Sequence, residues 1–249
     1  MKYIQAITFD FWGTLYSSAR SNNSNRTKVL QSAMYEAGLA EISEEKLHDA
    51  IKTTWGEWVK VWENDHRTWG AAEWLDTMQN LSQLQLPIEL RSKVLQELED
   101  VVLDGNTQPI AGVIKMIPLL ANQYRLGIIS DTGISSGKTL SKLLERDGLL
   151  NYFTNLVFSD EIGSSKPAAQ PFQAALSGLN VQPQQAVHVG DLRRTDVAGA
   201  NQFGMWSIRF TGYQDDPRVE FGEASIVLQD YENMPAALEH LESLAEQRG

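Results

Sequence analysis

The sequence predicts an α/β protein: a Rossmann-like, doubly wound parallel sheet with an inserted bundle of helices. Three observations carry this. Short apolar runs recur along the chain, each closed by a polar turn. Segments with helical spacing lie between them. One long interval, residues 17–108, breaks the alternation and holds no convincing strand.

The first apolar run covers residues 3–9 and meets a polar turn at Asp10 to Thr14; the same figure recurs at 126–130, 156–159 and 186–190. Continuous apolar runs of this length suit strands buried on both faces, the condition of a parallel sheet covered by helices. Helical spacing fills 113–123, 138–146, 171–179 and 195–203, and 205–210 and 225–228 read as further strands before a closing helix at 234–247. In such a sheet the ligand site lies at the carboxyl ends of the strands.

The interruption reads as four helices, near 27–37, 43–62, 68–84 and 87–103. Ser43 with Lys46 makes only half of a capping box, yet Glu44 and Glu45 suit the positive end of a helix, and Pro87 suits a first helical position. The chain therefore divides into a core, residues 1–16 and 109–249, and a helical cap, 17–108. Inserted directly after the first strand, the cap is expected to hang over the ligand edge and exclude water. The polar stretch 17–25 is expected to act as a hinge or flexible loop.

With 249 residues and 42% apolar content the chain is long enough for a large core. Its 21 Lys and Arg against 32 Asp and Glu give a net charge of −11, which argues against a nucleic-acid or anionic-membrane binder. The absence of cysteine excludes a disulfide scaffold, a thiolate nucleophile and a cysteine-bound zinc. No apolar stretch approaches the length of a membrane span, and the run before Asp10 is too short for a secretory segment, so a cytoplasmic protein is expected. The last 35 residues carry nine acids and two bases, read as a solvated face rather than a docking surface.

Polar residues follow the apolar runs in a set order: Asp10 and Thr14 in DFWGTL, Ser130 in IISDTG, Lys166 in SSKP, and Asp191 with Asp196 in GDLRRTD. Singly, each is ordinary turn chemistry. Together and in this order they resemble the haloacid dehalogenase-like (HAD) superfamily, over the whole chain except the insertion and the acidic tail. The insertion stands where that superfamily carries a helical cap.

The residues also have a direct chemical reading. A carboxylate at a strand end is a competent nucleophile toward an anionic substrate when something offsets the charge between them, and Asp10 is the candidate. Asp10, the Trp12 carbonyl and Asp191 supply oxygen ligands of the kind Mg2+ prefers. The Ser130 hydroxyl, the N–H groups of Asp131 and Thr132 and the Lys166 ammonium would hold phosphoryl oxygens, and phosphoryl transfer requires little beyond such positioning and charge stabilisation. The resemblance implies the same roles, with Thr14 orienting the phosphoryl end and Asp196 securing the metal's surroundings.

One position departs from the family pattern. Most HAD phosphatases carry a second aspartate two residues after the nucleophile, as leaving-group acid and then base for water; here that residue is Trp12. Indole exchanges no proton near neutral pH, so a contribution of about a hundred- to ten-thousandfold is missing at that position. Three readings follow. The favoured one is a magnesium-dependent phosphohydrolase acting on a small phosphorylated metabolite through an aspartyl-phosphate. The second is a metal-independent 2-haloacid dehalogenase, the branch of the superfamily with an aromatic residue at this place, against which stands Asp191: without a metal it would face Asp10 as a like charge. The third is a catalytically silent fold that binds a ligand or partner.

In the insertion, Trp55, Trp58 and Trp62 form one helical stripe, with Trp69 and Trp74 nearby. Packing of the small bundle is the expected use, and an aromatic wall over the active site the alternative. His66 and Arg67, in the turn ENDHRT, read as solvated, with a proton-donor or anion-binding role as the alternative. His188 reads as a core histidine. Arg193 and Arg194 at a helix start oppose the helix dipole, which suggests an anion nearby. Nothing in the sequence sets the oligomeric state.

Overall fold

The computed structural model describes residues 3–17, 23–39 and 42–248. Six parallel strands, β1 (Ala6–Phe9), β2 (Arg125–Ser130), β3 (Phe153–Phe158), β4 (Ala186–Gly190), β5 (Trp206–Phe210) and β6 (Ile226–Leu228), lie in the order β3-β2-β1-β4-β5-β6. The order reverses at β1, which pairs with β2 on one side and β4 on the other, so Phe9 stands beside both Ile128 and Val189. The chain ends of these three strands therefore converge at the switch point, the crevice where a parallel sheet offers its ligand site.

Between β1 and β2 come α1 (Asn23–Glu36), α2 (Glu44–Asp65), α3 (Ala71–Ser82) and α4 (Ile88–Asp100); the core helices are α5 (Val113–Ala121), α6 (Gly137–Arg146), the short α7 (Ser159–Ile162), α8 (Ala169–Leu179), α9 (Ala198–Phe203) and α10 (Met234–Arg248). The strand positions follow the apolar runs within a few residues. The turn α7 has no counterpart in the periodicity, being too short to show one. Pro87 sits one residue ahead of α4 rather than in its first position.

Each sheet face is sealed by its own apolar cluster. Ile7, Phe9, Ile128 and Val189 pack with Met116, Ile117, Leu140, Leu143, Leu238 and Leu241 on one side, and Ala6, Ile129 and Ala186 pack with Phe172, Leu176, Leu179 and Ala200 on the other. The cap has a separate core of Leu30, Leu47, Ile51, Trp74, Leu75, Met78 and Leu98, and Ile134 from the loop after β2 is buried within it. Burying a side chain of that size removes about 2 kcal/mol worth of apolar surface from water, so Ile134 fastens the inserted helices to the carboxyl edge of the sheet.

In α2, Ser43 accepts the Lys46 N–H at 3.3 Å, Glu44 and Glu45 occupy the first turn, and the helix stops where His66 takes a left-handed conformation, φ 50°. The two chain segments joining cap and core run side by side: Ser17 N–H donates to the Gln108 carbonyl at 3.0 Å and Ile110 N–H to that of Leu15 at 2.9 Å. Of the stretch expected to be a hinge, residues 18–22 lie outside the described residues, and Asn23 to Asn25 already belong to α1. The acids after Asp215 are not merely solvated. Arg209 pairs with Asp215 and Glu223, Arg193 with Glu223, and Arg218 with Asp216, tying the loop after β5 to the β4 loop. No described helix is long and apolar enough to cross a membrane.

Candidate active site

The end of β1 delivers Asp10, whose N–H donates to the Val189 carbonyl at 2.8 Å, so the residue still follows strand geometry as its carboxylate enters the crevice. The chain then turns sharply at Gly13, φ 77°. A Cβ there would lie 2.5 Å from Asp191 Oδ2, so only glycine lets the two loops close on one another. Gly190 does the same for Asp196, whose Cγ would lie 2.2 Å from an added Cβ.

After β4 the backbone opens into a widened turn over Arg193–Val197. The Leu192 carbonyl accepts from both Asp196 N–H (3.0 Å) and Val197 N–H (3.2 Å), and Asp196 Oδ2 accepts Leu192 N–H at 2.9 Å. This turn brings Asp196 back beside Asp191. Asp10, Asp191 and Asp196 then present oxygens that all lie within 4.8 Å of one another, each side chain buried.

Lys166 holds this charge together. Its Nζ donates to Asp10 Oδ1 at 2.6 Å, Asp196 Oδ1 at 2.7 Å and the Ile129 carbonyl at 2.8 Å, using all three of its protons. Burial disfavours the ammonium, but Asp10, Asp196 and Asp131 outweigh it and hold its pKa above the ordinary value. Asp196 also meets His188 Nε2 at 3.1 Å, while His188 Nδ1 meets the Thr8 hydroxyl at 2.9 Å. Burial lowers the imidazole pKa, and in its neutral form the ring that donates from Nε2 to Asp196 accepts at Nδ1 from the Thr8 hydroxyl. Although burial opposes its ionisation, Asp196 is held well below the usual carboxylate range by Lys166 and His188. It is the permanent counter-ion of the lysine, with both oxygens committed.

Asp10 and Asp191 are different. Burial pushes Asp10 up to about 7 against the pull of Lys166, and Asp191, buried and facing Asp10 and Asp196, is also raised. Asp191 Oδ2 accepts from the Gln214 amide, while Oδ1 is buried with no hydrogen-bond partner among the described residues. An orphaned carboxylate oxygen next to a second carboxylate is a donor set made for a hard divalent cation. The hydroxyls of Ser130 and Thr14 are likewise buried without a partner. Buried hydroxyls with unmet hydrogen bonds fit a ligand rich in oxygen acceptors.

The loop after β2 departs from expectation at Thr132. Its N–H donates to Ser159 Oγ at 2.9 Å and its hydroxyl meets Asp160 at 2.8 Å, so Thr132 has no N–H free for substrate; it anchors the loop to α7 instead. Asp131 spends its carboxylate on the Lys166 N–H (2.9 Å) and on the indole N–H of Trp62 from the cap (2.8 Å). Trp12 is half-buried, its ring edge-on to Phe11 at 4.9 Å, with no proton-exchanging group of its own.

A family model for haloacid dehalogenase-like hydrolases matches residues 4–204. The chain belongs to the haloacid dehalogenase-like hydrolases. Among relatives of this HAD-like hydrolase, a glyceraldehyde 3-phosphate phosphatase of Methanopyrus kandleri is 31% identical over 220 residues, 86% of this chain and 88% of that protein. A phosphoglycolate phosphatase of Salmonella choleraesuis is 24% identical, covering 96% and 94% of the two chains. In fold, the HAD-like hydrolase resembles a 2-haloacid dehalogenase from Pseudomonas syringae, with a TM-score of 0.71, 23% identity and coverage of 95% and 99%. It also resembles a HAD phosphatase from Thermococcus onnurineus, at 0.64, 21%, 94% and 98%.

Sequence reasoning placed Asp10, Lys166, Asp191 and Asp196 near one another, and the structure brings them together. It did not find Gln214, which reaches Asp191 from a loop that carries no local signal. The tryptophans split: Trp74 is buried in the cap core, whereas Trp62 reaches Asp131, and Trp58 lies 3.7 Å from where a Cβ on Gly133 would stand. The turn with His66 and Arg67 is structural on this side. The His66 carbonyl accepts Ser165 N–H at 2.8 Å, its side chain is exposed, and Arg67 pairs with Glu73.

Proposed function

We propose that this hydrolase cleaves a small phosphorylated metabolite through an aspartyl-phosphate on Asp10, with Mg2+ bound by Asp10, Asp191 and the Trp12 carbonyl. The observation that carries the reading is the orphaned Asp191 oxygen in the cluster with Asp10 and Asp196; the buried hydroxyls of Ser130, at the end of β2, and Thr14, after β1, also lack a hydrogen-bond partner among the described residues. A bound Mg2+ would offset the negative charge of the acids and the phosphoryl group. The phosphatase relatives support the same chemistry.

In this scheme Asp10 attacks phosphorus and the leaving oxygen departs. Lys166 offsets the charge on Asp10 and the phosphoryl oxygens; Ser130 and Thr14 orient those oxygens; Asp196 and His188 keep Lys166 ionised and in place. Water then attacks the phosphorus of the acyl phosphate, releasing phosphate and regenerating the Asp10 carboxylate. Trp12 supplies no proton in either half, so the scheme favours leaving groups that depart as stable anions. The core acids are almost wholly covered, with Asp10 7% exposed, so substrate enters when the cap moves away.

The aromatic residue at position 12 keeps dehalogenation as the reading to test against. The test is release of p-nitrophenol from p-nitrophenyl phosphate, with and without magnesium and in Asp10→Asn, beside halide release from 2-chloropropionate. Magnesium-dependent phosphatase activity lost in the variant is expected. Metal-independent halide release would replace the proposal, and silence on both would favour a binding role.

A further inference from the structure

Arg194 is a buried charge whose hydrogen bonds go unmade. It is 6% exposed, and its Nε and both terminal nitrogens are buried with no hydrogen-bond partner among the described residues. Burial lowers the pKa of this guanidinium, but an arginine side chain does not give up its proton in proteins. Leaving a guanidinium buried and unpaired is among the most costly arrangements a fold can retain.

The neighbouring groups do not resolve it. The Trp62 ring lies 4.2 Å from Arg194 Cζ, which favours the cation but satisfies only its flat face, not the N–H edges. Glu63 stands 3.9 Å from Nε, beyond hydrogen-bond reach, and also faces Arg218 at 3.4 Å. Both oxygens of Asp131 are taken by Trp62 and Lys166. The position is nonetheless close to the chemistry: Arg194 lies three residues after Asp191, and the indole it stacks on bonds the residue that follows Ser130.

We infer that Arg194 binds a second oxyanion of the substrate, a carboxylate in the first instance, so that the preferred substrate is a small phosphomonoester with an anionic tail. This rests on the phosphatase reading for the reaction, though not for the binding. The planar fork presents two parallel N–H groups to a carboxylate, and the indole fixes its plane. Because Trp62 and Glu63 belong to α2, a bound tail joins cap to core and closes the site behind the substrate.

The test compares 2-phosphoglycolate with ethyl phosphate, which has the same carbon count but no carboxylate. The native enzyme is expected to prefer 2-phosphoglycolate in kcat/KM, and Arg194→Gln to cut that ratio by about ten- to a hundredfold, chiefly through KM. Arg194→Lys keeps the charge without the fork and is expected to fall between. Glu63→Gln removes the cap's carboxylate and is expected to keep the preference. If Arg194 were only a cap fastening, Arg194→Gln and Glu63→Gln would lower both substrates alike, and the inference would fall. It also falls if the native enzyme shows no preference, a result that requires no variant to fold. Should the native enzyme hydrolyse neither ester, as the missing acid at Trp12 allows for alkyl leaving groups, the phosphatase reading stands or falls on p-nitrophenyl phosphate instead. Calorimetry of 2-phosphoglycolate binding then decides the matter separately, with tenfold weaker binding in Arg194→Gln supporting the role of Arg194 and equal binding refuting it.

Discussion

Replacing Lys166 by methionine removes the positive charge at the centre of the acid cluster while roughly keeping the stem's volume. The ammonium is 1% exposed and joins Asp10 to Asp196, whose oxygens lie within 4.8 Å of each other. At an effective dielectric near 20, two unit charges at that separation repel by about 3.5 kcal/mol. Breaking a buried ion pair from one side costs about 3–5 kcal/mol, the same scale reached independently. The loss depends on pH. Without Lys166 the raised pKa values of Asp10 and Asp191 rise further in the folded protein and Asp196 loses the pull that lowers its own, and a carboxyl raised on folding costs stability once pH exceeds its unfolded value. That penalty is complete above its folded value. Urea unfolding of metal-free protein should therefore show Lys166→Met less stable by about 3–5 kcal/mol near pH 8, with the gap narrowing toward pH 5 as the acids protonate. A deficit under about 1 kcal/mol near pH 8, or one that widens on acidification, would refute the electrostatic account.

Gly13→Ala forces a side chain into a left-handed turn and against Asp191, with an added Cβ 2.5 Å from Oδ2; it should cost about 1–2 kcal/mol in unfolding and weaken magnesium binding measured by calorimetry. Because Asp10 is pushed up to about 7 and Asp191 is raised as well, magnesium has to displace protons. Affinity should fall as pH drops below about 7, with proton release visible as a buffer-dependent binding heat. Trp12→Asp places a proton-exchanging group two residues after the nucleophile. Turnover of alkyl phosphates should rise by up to about a hundred- to ten-thousandfold, and turnover of p-nitrophenyl phosphate much less, so kcat should depend less steeply on leaving-group pKa.

The central strands were legible because β1 and β4 are short, mostly apolar runs buried along their whole length, and the polar residue that follows each is also one the proposed site uses, as with Phe9 and Asp10 or Gly190 and Asp191. The cap was legible as a break in that rhythm. What escaped was set by long-range geometry. Gln214 on Asp191, Ser159 taking the Thr132 N–H and Trp62 on Asp131 join segments far apart in the chain. No spacing rule links them. Arg194 lies between: its awkward place at a helix start is visible in the sequence, but only the structure shows a guanidinium buried with no hydrogen-bond partner among the described residues.

The account rests on covalent chemistry at Asp10, and Trp12 makes that chemistry unusually open to observation, since water has no base at that position to speed hydrolysis of the acyl phosphate. Native enzyme mixed with magnesium and p-nitrophenyl phosphate, quenched in acid and digested, should yield the Asp10 peptide carrying one phosphoryl group. The modified peptide should be absent without magnesium and in Asp10→Asn. Steady release of phosphate with no modified peptide at any quench time, or the same release from Asp10→Asn, would contradict it.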